Sequence, residues 1–393
     1  MNLTDMKNKL INFLRLRQLK NLTPESLVFK IKRFFPNGYK YIKFNYTDKK
    51  FLTVFMDLHT TCDAGCKMCH WKAIETYERP KKEVMSIENF KKIADNIFPY
   101  TCELVFSPCS EVLLNPEFDR ILDMLPSYHI PLCWMLTNLN HLKPHLAEKI
   151  VLNKIHRLLI SMDSHKPEIY KSIKQNLSFK TLIDNINLIK EYKRKFNSDF
   201  PRLTFNFVLM KTTIDNYDGY MDFVKEIGGE SVGFFHVVVY EEVESMKNES
   251  LWEYKKEYNE FYDKVILDSI RTGVKIERIP DKFTLEPNQN RIEKNKIKKN
   301  EYPPLCPYPW YMLVVNPDGS FKPCEFWSNQ ENWRNLITDD FKTVWERDCY
   351  KKLRWEISTR QPSRSCCQNC VSMSSNSGRT DDETAFKKKK MKM

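Results

Sequence analysis

From residue 50 to about 240 the chain alternates two hydrophobic rhythms. Short continuous apolar runs stand at Phe51–Leu58, Cys102–Phe106, Pro131–Leu136, Arg157–Met162, Leu203–Met210 and Ser231–Val239. Runs of that length and density predict strands covered on both faces. Between them, apolar residues recur every three or four positions. Ile87–Ile97 follows Ser86 as an N-cap, and Phe118–Leu125, Leu146–Leu152 and Thr181–Tyr192 complete the set, with Leu182, Ile186 and Ile189 on one stripe. Strand–helix alternation predicts an α/β fold with parallel strands and right-handed crossovers. Six units suit a partial (β/α)6 TIM-like barrel better than a closed eightfold one.

The rhythm changes on either side. Residues 1–49 read as a basic helical extension; Leu10, Ile11, Phe13 and Leu14 give a first helix an apolar side, and Thr23-Pro24 opens a second. Such helices serve as an apron on the next domain, a peripheral membrane contact or a handle for a partner. The barrel is expected to occupy 50–275, with a last helix at 252–270. A polar, Pro-, Asn- and Lys-rich linker is expected over 276–304. A small α+β unit follows at 305–372: Met312–Val315, the turn N-P-D-G and Ser320–Pro323 form a hairpin, and Asp340–Ile357 a helix. Residues 373–393 lack periodicity and read as a disordered basic tail.

Composition narrows the class. Of 393 residues, 41% are hydrophobic and 13% aromatic, enough for a substantial core. No run of 18 apolar residues exists, so no spanning helix is expected. The start interleaves charge with apolar residues and lacks a secretion h-region, which places the chain in the cytoplasm. The net charge of +12 comes largely from the Lys-rich tail and the 288–300 stretch, so nucleic acid is not expected as a partner. Twelve cysteines in a large chain of this kind suggest metal rather than disulfides, because they are clustered.

Cys62, Cys66 and Cys69 form C-x3-C-x2-C directly after the first predicted strand. Three thiolates on one loop can hold three irons of a [4Fe–4S] cube and leave the fourth open. A zinc site completed by His59 or His70, or a Cys66–Cys69 redox pair, are the alternatives on spacing alone. Further along stand C-S-E-V at 109–112, T-N at 137–138, S-M-D at 161–163 and a lysine at 174.

Together these motifs resemble the radical S-adenosylmethionine (radical SAM) enzymes. The resemblance implies that Cys62, Cys66 and Cys69 hold a cluster with an open iron that chelates S-adenosylmethionine (SAM). It implies that Glu111 meets the SAM amino group, although two family glycines are replaced by Cys109 and Ser110. Asn138 corresponds to the family's T-N-G, with Leu139 in place of glycine; Ser161 and Asp163 lie in the ribose region. Lys174 stands where relatives often carry arginine, and Met68 where they carry an aromatic beside the adenine. The bland readings are a solvated loop acid for Glu111 and a helix cap near Pro167 for Asp163. Cys109 reads as a small filler and His236 as a core histidine.

Cys306, Gly319, Cys324, Cys367 and Cys370 give C-x12-G-x4-C and a distant C-x2-C. This resembles the twitch domain, a shortened SPASM domain, and implies one auxiliary [4Fe–4S] cluster; Cys366 is an alternative ligand to Cys367. A four-cysteine zinc ribbon is the structural alternative, and Cys349 reads as a helix-face residue. Four thiolates would leave no iron open, so the implied role is electron transfer.

The resemblance thus implies an enzyme that cleaves SAM reductively and abstracts substrate hydrogen for oxidation or cross-linking, of a peptide or protein. A reductant such as flavodoxin or ferredoxin is the implied partner. A dehydrogenase of a sugar-like alcohol, an RNA-modifying enzyme and a zinc-stapled binding module are the rivals. Glu241, Glu242 and Glu244 are candidate proton acceptors.

Overall fold

The computed structural model describes residues 50–69, 83–240, 244–283, 285, 306, 308–325, 327, 333–359, 361–368 and 387–388. The expected N-terminal helices, Glu241, Glu242, most of the linker and Cys370 lie outside the described residues.

The strands are β1 (Leu52–Met56), β2 (Thr101–Phe106), β3 (Leu132–Thr137), β4 (Arg157–Ser161), β5 (Arg202–Leu209), β6 (Ser231–His236), β7 (Val239–Tyr240), β8 (Lys275–Arg278), β9 (Met312–Val315), β10 (Phe321–Lys322) and β11 (Lys387–Lys388). Nine of them make one sheet in the order β10-β9-β1-β2-β3-β4-β5-β6-β8. All neighbours are parallel except the hairpin pair β9–β10. This is the open α/β barrel that the βα rhythm predicts.

The alternation of side chains across each strand sorts the molecule into two faces. Val54, Leu104, Met135, Ile160, Phe205 and Phe234 point outward into a core closed by Phe90, Ile93, Ile150, Leu182 and Ile186 from the helices. Helix Ile87–Ile97 starts where expected, with Ser86 Oγ accepting from Asn89 N at 3.2 Å. Helix Phe179–Lys195 buries Leu182, Ile186 and Ile189 completely. Each such side chain contributes about 1.5–3 kcal/mol. The inward face differs from the expectation of full cover. Trp134, Leu136, Leu159, Ser161, Asn206 and Val208 are only half-buried, and Phe235 is 37% exposed. These residues line a lumen, where apolar density alone cannot separate lining from core.

Two other expectations are corrected. Lys275–Arg278, assigned mostly to the linker, is a strand paired with β6; its polar residues face water at the end of the sheet. The helix expected over 340–357 is two helices, Phe341–Trp345 and Asp348–Ser358, because Arg347 is extended and restarts the chain. Of the tail only Lys387–Lys388 is described, paired with β7; the rest of 373–393 lies outside the described residues. The hairpin β9–β10 is not separate from the barrel: β9 pairs with β1 through four residues, and Phe51 packs on Trp345 at 5.7 Å.

Candidate active site

The C-terminal ends of β1 to β6 gather the chemistry. The loop after β1 is pinned at both sides of its cysteines. His59 Nδ1 accepts from Thr61 N at 3.1 Å, so Nε2 carries the proton and donates to the Glu111 carbonyl. Glu111 N in turn donates to Thr61 O. Gly65 takes φ +60° between Cys62 and Cys66, and an added Cβ would lie 2.7 Å from Asn176 Nδ2. Asn176 donates from its side chain to Asp63 O at 2.9 Å and from its backbone to Ala64 O at 3.2 Å. Cys62 is exposed, and Cys66 and Cys69 are half-buried.

The second half of the loop rests on the later strands. Cys66 forms an isolated bridge with Lys174, and Lys67 N donates to Ile173 O. Lys67 Nζ meets Glu249 Oε1 at 2.5 Å, and Glu249 is fixed by Thr212 N at 2.9 Å and Thr212 Oγ1 at 2.6 Å. Met68 packs in a soft apolar cluster with Ile173, Met210, Val237 and Met246. The Lys67–Glu249 clamp was missed in the sequence because its partners are 182 residues apart.

Glu111 is not a solvated loop acid. Only 2% exposed, it accepts from Thr137 Oγ1 at 2.6 Å, Asn138 N at 2.6 Å and Leu113 N at 3.2 Å. Burial pushes its carboxyl up to about 7 despite these donors. The glycine-free loop keeps Cys109 and Ser110 out of the left-handed region; Ser107 takes it instead, at φ +54°. Leu139 adopts φ +61°, the conformation for which glycine is suited, and its fully buried side chain offsets the strain. Asn138 Oδ1 accepts from Asn140 N, whereas its buried Nδ2 has no partner among the described residues.

Asp163 does not cap a helix. Its Oδ1 accepts from Val208 N at 2.9 Å and its Oδ2 pairs with Lys174 Nζ at 2.9 Å. Ser161 ends β4 beside Asn206, whose Oδ1 is buried without a partner among the described residues. His236 packs on Tyr258 and Phe283, and burial pushes its imidazole down to about 3, as suits a neutral core residue. Glu244 begins the 3-10 segment Glu244–Glu249. Asp57, also unforeseen, holds Cys109 N at 3.2 Å and Ser110 Oγ at 2.8 Å from the end of β1.

The second constellation gathers at the hairpin. Gly319 takes φ +82° in the turn, where an added Cβ would meet Asn335 and Ile337 at 2.5 and 2.6 Å. Cys367 lies close enough to Cys366, Cys324 and Cys306 for their charges to raise its thiol; the Cys366 hydrogen bond is the largest cause and burial the next. Both vicinal cysteines are half-buried, so Cys366 and Cys367 both approach this group. The segment is anchored by Arg364 Nη1 on Glu356 Oε2 at 2.6 Å; Ser363 Oγ reaches the other carboxylate oxygen at 2.9 Å. Among the described residues no three His, Cys, Asp or Glu side chains converge as a single-ion site. A cube spreads its irons over separate corners, so its ligands need not meet at one point.

Residues 56–224 match the model of the radical SAM superfamily, and residues 306–371 match SPASM, an iron–sulfur cluster-binding domain. The chain carries a radical SAM domain followed by a SPASM domain. Its radical SAM domain carries the three-cysteine loop, and its SPASM domain carries the second cysteine group. The subtilosin biosynthesis protein AlbA of Bacillus subtilis is 21% identical over 330 residues, covering 80% of this chain and 65% of that protein. A probable GTP 3′,8-cyclase of Methanocaldococcus jannaschii is 25% identical over 42% of this chain and 53% of its own length. The chain thus spans less than two thirds of either relative. In fold it is similar to Streptococcus suis SuiB bound to SAM (TM-score 0.59, 14% identity, 89% of this chain and 79% of that one). It is also similar to anSMEcpe bound to SAM and a peptide (TM-score 0.57, 17% identity, 82% and 87%). No helix among the described residues is long and apolar enough to cross a membrane.

Proposed function

We propose that this radical SAM chain is an enzyme that modifies a peptide or protein by hydrogen abstraction followed by oxidation or cross-linking. Cys62, Cys66 and Cys69 would hold a [4Fe–4S] cluster with one open iron; Cys306, Cys324, Cys367 and Cys370 would hold an auxiliary one. Bound together, the first cluster and SAM supply one-electron cleavage to a 5′-deoxyadenosyl radical that takes hydrogen from an unactivated C–H bond.

The observation that carries the reading is the cradle beside the cysteine loop. Among the described residues Asn138 Nδ2 is a buried donor with no partner, next to a buried Glu111 carboxylate tied to that loop through Thr61 and His59. An unpaired buried polar atom is unfavourable unless a ligand meets it. The amino acid end of SAM offers an ammonium for Glu111 and a carboxylate for Asn138. Ser161 and the buried Asn206 Oδ1 offer polar contacts for a ribose, and Met68 an apolar wall for an adenine.

A peptide substrate is supported by the relatives: SuiB is known bound to its precursor peptide SuiA, anSMEcpe to a peptide, and AlbA serves bacteriocin biosynthesis. A flavodoxin- or ferredoxin-type reductant would supply the electron. The test is anaerobic reconstitution, with iron and sulfide counted and 5′-deoxyadenosine measured under reduction. The Cys62→Ala/Cys66→Ala/Cys69→Ala variant should keep the auxiliary iron and lose cleavage of SAM. Cleavage retained in that variant, or zinc in place of iron, would overturn the proposal.

A further inference from the structure

Resting on that reading of the first cysteine loop, we infer that the buried Lys174–Asp163 pair is a fixed dipole that sets the reduction potential of the cluster held by Cys66. Lys174 Nζ stands 3.8 Å from Cys66 Sγ and 2.9 Å from Asp163 Oδ2. Both side chains are sealed from water, at 3% and 1% exposure. The other Asp163 oxygen is fixed by Val208 N at 2.9 Å, so the carboxylate cannot swing toward the loop. The bridge between Cys66 and Lys174 fixes the backbones of the ammonium and the sulfur against each other. The dipole therefore presents its positive end to the thiolate and its negative end to β5.

The 2.9 Å contact pairs the Lys174 ammonium with the Asp163 carboxylate, charge against charge. A positive charge in a low-dielectric interior favours the more negative, reduced state of a neighbouring redox centre, and it acts with little screening. Hydrogen bonds and charges at cluster sulfurs are among the levers by which a protein sets such potentials. Lys174 Nζ donates to Cys66 Sγ and faces Asp163 Oδ2 as an ion pair.

The charge is diagnostic. Lys174→Met removes it and keeps an unbranched side chain; Lys174→Arg keeps it. Only the neutral variant should shift the potential, whereas a packing role would let both shift it. The experiment is a redox titration of the reconstituted full chain followed by electron paramagnetic resonance, reading the signal that changes on adding SAM. At the wild-type midpoint, Lys174→Met should lower the reduced-to-oxidised ratio at least about tenfold, equivalent to about 59 mV for one electron. Lys174→Arg should leave it within about twofold, because the charge stays. Equal potentials in wild type and the Met variant, or equal shifts in the Met and Arg variants, would overturn the inference. If Lys174→Met does not load iron, Lys174→Gln takes its place with the same expected sign. A wild-type chain with no SAM-sensitive signal would instead sink the proposed function.

Discussion

Replacing Glu111 by glutamine keeps the shape of the side chain and removes its charge. The carboxyl is raised from 4.5 to about 7, chiefly by burial, with the Thr137, Asn138 and Leu113 donors pulling the other way. A folded-state value above the unfolded one means that the folded chain holds the proton more tightly. The stabilisation is then fully present below about 4.5 and is lost as pH rises through 7. A difference of about 2.5 pH units corresponds to roughly 3 kcal/mol. The amide that the Glu111→Gln variant carries in place of the carboxyl does not titrate. The stability difference between wild type and Glu111→Gln should therefore change by roughly 3 kcal/mol between about pH 4.5 and 8, against the wild type at the alkaline end. Urea unfolding of the cofactor-free chain at a series of pH values measures this, since bound metal would complicate the transition. A difference that stays constant across the range would refute the burial argument.

Glu356→Ala removes the carboxylate that the buried Arg364 guanidinium meets at 2.6 Å. This should destabilise the SPASM domain by about 3–5 kcal/mol. The segment that carries Cys366 and Cys367 should detach, with loss of about four irons per chain if one cube is lost; a Glu356→Leu/Arg364→Met double variant should be close to neutral. Iron content and thermal unfolding report both, and an unchanged auxiliary cluster in Glu356→Ala would contradict the anchoring role. Gly65→Ala forces a Cβ against Asn176 at a positive φ. It should cost about 1–3 kcal/mol and lower iron occupancy at the first site while sparing the second; a normal melting temperature would show that the turn tolerates a side chain.

Much of this was legible in the chain because it is local. The βα rhythm, the Ser86 cap, the stripe Leu182–Ile186–Ile189 and the C-x3-C-x2-C spacing depend on neighbours a few residues apart. Glu111 and Lys174 could be matched by motif, yet their surroundings could not be read. The donors around Glu111 come mainly from β3 and the loop after it, and Asp163, just past β4, meets Lys174 at the far end of the intervening helix Pro167–Ile173. Leu139 shows the opposite failure. Its sequence departs from the glycine pattern, but its backbone keeps the glycine conformation. The Lys67–Glu249 clamp and the β1–β9 pairing arise from long-range closure, for which hydrophobic pattern carries no signal.

The β1–β9 pairing has a practical consequence. Strand β1 delivers the first cysteines and β9 leads to Cys324, and their backbones are laced together through four residues. Cutting the chain within the linker would strip one flank of β1 and bare a row of unsatisfied amides and carbonyls, an invitation to clump with other copies. The two halves are therefore poor candidates for modular swapping between relatives. A graft would have to carry a matching β1, or insolubility would be its first symptom.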